Sequence, residues 1–267
     1  MMAARTQEYV SVSQDDRTAW IRIARPEALN AIDEVVLSEL SAALRDVHGR
    51  EGLRAVVITG SGRAFCAGAD IGERLRDGTE IDPDDFVDFV RRVGAVFRQV
   101  EELPVPVIAA VNGVAVGGGL ELAMSCDFII AASNARLGDG HANMGGLPGY
   151  GGTARLPHLV GPQRAKYLTF TGRLIDARQA EAWGLVAGVV DAEVFEESVS
   201  EICRSIEAKS PLGVRWMRRL IDDVAGQAVR RGLEAEIDAL REYVHSSDLR
   251  EGIRSFVEKR SPQFSGE

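Results

Sequence analysis

Residues 106–132 read PVIAAVNGVAVGGGLELAMSCDFIIAA, and this stretch decides the fold class. PVIAAV (106–111) is a short continuous apolar run, which reads as a strand covered on both faces. NGVAVGGG follows as a small-residue loop, LELAMSC as helix-forming sequence, and DFIIAAS (127–133) as a second buried strand. The same order of buried strand, small-residue loop and helix recurs upstream. LRAVVITG (53–60) runs into SGRAFCAGADIGE, and PDDFVDFVRRVGAVFRQVEEL (83–103) is an amphipathic helix closed by Pro104. Before these, RTAWIRIAR (17–25) alternates as a strand ended by Pro26, and residues 32–49 carry helical spacing up to Gly49. The pattern predicts an α/β architecture.

Beyond Gly161 the character changes. Helical patterns over 192–208, 211–229 and 231–244 leave only AGVV as strand. The chain therefore divides into an α/β core over 1–200 and a helical region over 201–267, with no linker between them. A chain of 267 residues buries roughly 70–75% of its unfolded surface and needs no staples. Cys66, Cys126 and Cys203 are isolated thiols without zinc or disulfide spacing, which points to a reducing cytoplasm. A net charge of −9 disfavours a nucleic-acid surface, and RWMRRL (215–220) and VRRG (229–232) read as exposed or interface helix faces. The apolar runs are too short to span a bilayer, and the N-terminus lacks a signal-peptide core, so neither membrane insertion nor secretion is expected.

Two glycine-rich loops, FCAGADI (65–71) and VAVGGGLELA (114–123), each follow a buried strand. Side by side they could aim two backbone N–H donors at one oxygen, as an oxyanion hole does. Tight helix–strand packing is the ordinary reading of a lone glycine triplet. Glu121 stands just after that triplet, where it can cap a helix or move a proton. His141, in LGDGHANMGGLPGYGG (137–152), is either a turn residue or an acid/base that titrates near neutrality. Neither a dinucleotide fingerprint nor a phosphate-binding lysine loop is present.

RPEALNAID, AVVITGSGRAFCAGADI, the quoted stretch, GLPGYGGTARLPHLVG, LTFTGRLIDARQAEAWGLV and REGIRSFVEKRSPQF occur in this order over residues 10–264. Together they resemble the enoyl-CoA hydratase/isomerase (crotonase) superfamily. The resemblance implies a crotonase-like spiral of ββα units with a C-terminal helical trimerisation region, giving a homotrimer or a hexamer built as a dimer of trimers. It implies an acyl-CoA thioester substrate held at Ala28, Leu29, Ala67, Ala69, Asp70, Ile71, Gly72 and Gly118, with the amides of Ala69 and Gly118 as the oxyanion hole. No metal and no cofactor beyond the substrate's own coenzyme A is implied. In hydratases of the family two glutamates flank the substrate. The first falls on Glu121; the second position is His141. The favoured reaction is hydration of an enoyl-CoA, in a lyase of fatty acid metabolism, with Glu121 and His141 sharing the proton traffic and Asp139 placed to orient the ring. A hydrolase or isomerase of the same superfamily, or an acyl-CoA-binding homologue without turnover, are the alternatives. Gly149 stands where dienoyl-CoA isomerases and dehalogenases place a further acid, which counts against those two.

Overall fold

The computed structural model describes residues 9–70, 72 and 82–266, at residue 225 by its backbone alone. A six-stranded sheet forms from β1 (Val10–Asp15), β2 (Thr18–Ile23), β3 (Ala55–Gly60), β5 (Val107–Val111), β7 (Phe128–Ala132) and β10 (Gly188–Val190), in that spatial order. β1 and β2 pair antiparallel; the remaining neighbours are parallel. A second sheet is built from β4 (Ala64–Cys66), β6 (Val114–Val116), β8 (Arg136–Gly138) and β9 (Ile175–Asp176). Each long strand β3, β5 and β7 thus hands the chain to a three-residue strand of the second sheet. That is the spiral of ββα turns that the family resemblance implies.

The long strands are apolar throughout because both their faces are covered. Val56 and Ile58 of β3 enter the main core, while Ala55 and Val57 pack on the other side with Phe195, Val199 and Cys203. The helices are α1 (Glu34–His48), α2 (Pro83–Glu101), α3 (Gly118–Met124), α4 (Gly152–Val160), α5 (Pro162–Thr171), α6 (Ala177–Trp183), α7 (Phe195–Glu207), α8 (Pro211–Tyr243) and α9 (Ser247–Val257). Asp33 and Asp82 cap α1 and α2, accepting from Val36 N and from Asp84 and Asp85 N. Pro83 takes the first position of α2, where its missing N–H costs nothing.

Several boundaries differ from the sequence reading. β1 was not expected: its Ser-Gln-Asp half is polar because its outer face meets water. The strand read over 17–25 stops at Ile23, since Arg25 turns inward to pair with Asp33 (3.2 Å) and Asp70 (2.7 Å). The strands of the second sheet, two or three residues each, are too short to show a period. The patterns over 211–229 and 231–244 are one continuous helix, α8. Gly232 does not break it because the missing side chain admits Ala154, whose Cβ would lie 2.7 Å from a Cβ at 232. Residue 200 falls inside α7, so no element ends there. Within RWMRRL, Arg218 is not on an exposed face. Its guanidinium binds Asp127 (2.6 Å) and the carbonyls of Glu101 and Leu103, pinning α8 to the α/β core.

Candidate active site

The two glycine loops meet. A Cβ built at Gly68 would lie 3.0 Å from Gly118 N, so the backbones touch with no side chain between them. Gly119 sits still closer to β4: a Cβ there would stand 1.9 Å from the Cys66 carbonyl oxygen. Gly117, at φ 56° and ψ −127°, makes the sharp turn into α3 that L side chains rarely allow. The loop 67–70 is fixed by a bridge to the segment 28–32. Ile32 N donates to Gly68 O (2.7 Å), Asp70 N to Ile32 O (2.9 Å) and Ala67 N to Leu29 O (3.0 Å). A parallel bridge of this register uses the Gly68 carbonyl and the Asp70 amide, and turns the intervening Ala69 N–H to the opposite side. Gly118 opens α3, where first-turn amides have no acceptor within the helix. The two loops that carry the sequence-predicted donors are therefore brought together.

Ala28 and Leu29 form the turn of this wall, with Leu29 at φ 53°. The Asp70 carboxylate is taken by Arg25, a tie that fixes the wall. Gly72 is exposed beside it, and Ile71 lies outside the described residues.

Glu121 is on the first turns of α3 and almost wholly buried, at 1% exposure. It caps no end of its own helix. Its Oε1 instead accepts from Tyr150 N (2.9 Å) and Gly152 N (2.7 Å), and Gly152 is the first residue of α4. Among the described residues its Oε2 has no hydrogen-bond partner. That oxygen faces His141 Nε2 at 3.9 Å, too far for a hydrogen bond and near enough for both to touch one small molecule. His141 Nδ1 lies 3.1 Å from Asp139 Oδ1, which also accepts from His141 N (3.2 Å). A carboxylate can only accept, so Nδ1 carries a proton and Nε2 is turned toward Glu121. The ring lies over Gly117, whose absent Cβ would be 3.8 Å from Nε2.

The electrostatics follow from this packing. Burial pushes the Glu121 carboxyl up to about 7, with the neighbouring imidazole pulling the other way. Burial by itself would lower His141, but the Asp139 hydrogen bond and the charges of Asp139, Glu121 and Glu236 raise it to about 9. Between these values the pair is a carboxylate facing an imidazolium.

Glu236 was missed by the sequence reading. It reaches in from α8 and is 5% exposed. It accepts from Gly151 N (2.7 Å), Thr153 N (2.6 Å), Ala154 N (2.8 Å) and Thr153 Oγ1 (2.5 Å). Glu121 and Glu236 together satisfy the orphan amides that open α4. One signal could have found it: Leu233, Ile237 and Leu240 make an apolar stripe on α8 that Val244 continues at its C-cap, and Glu236 is an acid on that stripe. Tyr150 was also missed; its ring packs on Gly118 and edge-on against Phe97, 5.6 Å away. At Gly149 a Cβ would lie 2.6 Å from Val90 Cγ1, so a side chain there would require Val90 to shift.

Among the described residues no group of three His, Cys, Asp or Glu side chains is arranged to hold a metal. No helix among them is long and apolar enough to cross a membrane.

A family model described as enoyl-CoA hydratase/isomerase matches residues 14–267. A crotonyl-CoA hydratase of Syntrophomonas wolfei is 38% identical over 96% of this chain and 98% of its own length. A 1,2-epoxyphenylacetyl-CoA isomerase of Escherichia coli is 35% identical, over 92% of this chain and 94% of its own. Among solved structures, an enoyl-CoA hydratase from Mycobacterium avium subsp. paratuberculosis superposes with a TM-score of 0.85 at 26% identity, covering 96% of this chain and 98% of that one.

Proposed function

This chain belongs to the enoyl-CoA hydratase/isomerase family, and we propose that it adds water across the 2,3 double bond of an enoyl-CoA. The observation that carries the proposal is Glu121 Oε2, a buried carboxylate oxygen without a partner among the described residues, facing His141 Nε2 at 3.9 Å. Such an atom is costly to keep unless a reacting molecule completes it. The thioester oxygen sits between the amides of Ala69 and Gly118. Glu121 takes a proton from water as the water oxygen bonds Cβ, and the π electrons move onto the thioester oxygen as an enolate. The enolate collapses by taking a proton at Cα from His141 Nε2. Passage of the proton from Glu121 back to His141 closes the cycle, with one water added to the substrate. Loss of enoyl absorbance from crotonyl-CoA, with gain of one water in the product mass, tests this reading; release of free CoA or an unchanged mass would overturn it. The reaction runs on this chain's own carboxylate and imidazole, the coenzyme A arriving with the substrate.

The sign of the pH dependence follows. Below about 7 Glu121 is protonated and cannot accept the water proton. Above about 9 His141 is neutral and cannot donate. The pH profile of kcat is therefore expected to be a bell with limbs near these values. Asp139→Asn removes the anion on Nδ1, so the alkaline limb moves to lower pH; an unmoved limb would assign it to another group.

The isomerase relative gives a second reading. In it Glu121 takes a proton from one carbon of the acyl chain and the imidazolium held by Asp139 gives one to another, with no water added, and product mass separates the two. We further assign the chain to the cytoplasm, on its three unpaired thiols, and to a homotrimer or a dimer of trimers. For assembly the support is the first half of α8, where Leu212, Trp216, Met217, Leu220, Ile221 and Val224 are 53–87% exposed along one stripe. Ile221→Glu is expected to release monomers in sedimentation; an unchanged mass would place the interface elsewhere.

A further inference from the structure

Between α2 and α8, with Tyr150 in its wall, lies a cavity of about 190 Å³. Three arginines line it, Arg91, Arg98 and Arg155, and no acid does. Two of the three are engaged. Arg155 is held by Glu101 (2.5 Å) and by the Tyr150 carbonyl (2.6 Å), and Arg91 by Asp88 (3.0 Å). The Arg98 guanidinium has no ion pair among the described residues. It folds back along α2 toward Gly94, with Nη1 4.0 Å from where a Cβ at 94 would stand. The opposite wall is apolar, made by Leu233 and Ile237. Tyr150 joins this cavity to the reacting centre: its N–H holds Glu121, its ring touches Gly118, and it also lines the cavity.

Resting on the hydration reading above, the geometry points to an acyl group that ends in a carboxylate. With its thioester oxygen on Ala69 and Gly118, an acyl chain running past Tyr150 brings its far end to Arg98 and Arg91. The apolar wall covers the methylenes, and the arginines meet the acid. The substrate class is thus the mono-CoA thioester of a short unsaturated dicarboxylic acid.

Binding of unreactive saturated thioesters tests this without turnover. Glutaryl-CoA and pentanoyl-CoA have equal carbon number and differ in the terminal carboxylate. In calorimetric titration of the full chain, glutaryl-CoA is expected to bind about tenfold more tightly. In Arg98→Ala the ratio of the two falls toward one, with Arg91→Ala as a second variant and circular dichroism confirming that both fold. A wild-type ratio of one, or a ratio that survives both substitutions, overturns the inference. So does an equal loss of affinity for CoA alone, which would give the arginines to the CoA phosphates. Failure of the hydration reading is seen separately, as tight acyl-CoA binding with no water added to any enoyl-CoA.

Discussion

Glu121→Gln lowers kcat for hydration by about a thousandfold, with the protein still folded. General acid/base catalysis by one positioned side chain supplies about 10²–10⁴ in rate, and Glu121 has both the position and the titration for it. The amide keeps the shape and leaves an oxygen to accept from Tyr150 N and Gly152 N, the two bonds that fix the carboxylate. What it loses is the second oxygen, which faces His141 and has no partner among the described residues. The amide nitrogen placed there cannot take a proton from water. Binding of the saturated acyl-CoA depends on the amides and the wall, so KM is expected to move far less than kcat. A variant that turns over at the wild-type rate would remove Glu121 from the chemistry.

Glu236→Ala has the second large effect, on stability and rate together. Truncation leaves three backbone N–H groups, those of Gly151, Thr153 and Ala154, without their acceptor at the start of α4. At about 1–3 kcal/mol for each buried unsatisfied donor, a loss of about 3 kcal/mol or more is expected in denaturant unfolding. The same loop carries Tyr150 N and Gly152 N, so Glu121 loses its register; a shift of about 1 Å costs on the order of a hundredfold in rate. Glu236→Gln separates position from charge. It restores an acceptor and much of the stability, but removes a negative charge that raises both Glu121 and His141. Both limbs of the pH profile then move to lower pH, which a purely structural role would not cause.

The sequence shows the fold where the physics is local. Runs such as AVVITG and VIAAV need no partner to be read as strands buried on both faces. β4, β6, β8 and β9 escape because a strand of two or three residues has no period, and their positions come from pairing across the spiral. The continuity of α8 through Gly232 is likewise a tertiary fact, set by Ala154 on another helix. At the site, the glycine loops stand out locally, whereas Glu121 and His141 each admit a structural reading from the residues alone and take their roles from the family resemblance. The contact of Asp139 with the ring is suggested by spacing and made definite by the fold. Glu236, 85 residues from Gly151, speaks only through being an acid on an apolar stripe. The loop LPGYGG (147–152) holds Glu121 through its own amides, those of Tyr150 and Gly152, a contact that no local pattern announces.

The proposed reaction adds water to an enoyl thioester through Glu121 and His141. The most direct test is to incubate the wild-type protein with crotonyl-CoA in water labelled with heavy oxygen and to weigh the products. The expected result is an intact 3-hydroxyacyl-CoA carrying one labelled oxygen in its acyl part, absent from the Glu121→Gln reaction. Labelled free acid with released CoA, or an acyl-CoA of unchanged mass, would contradict it.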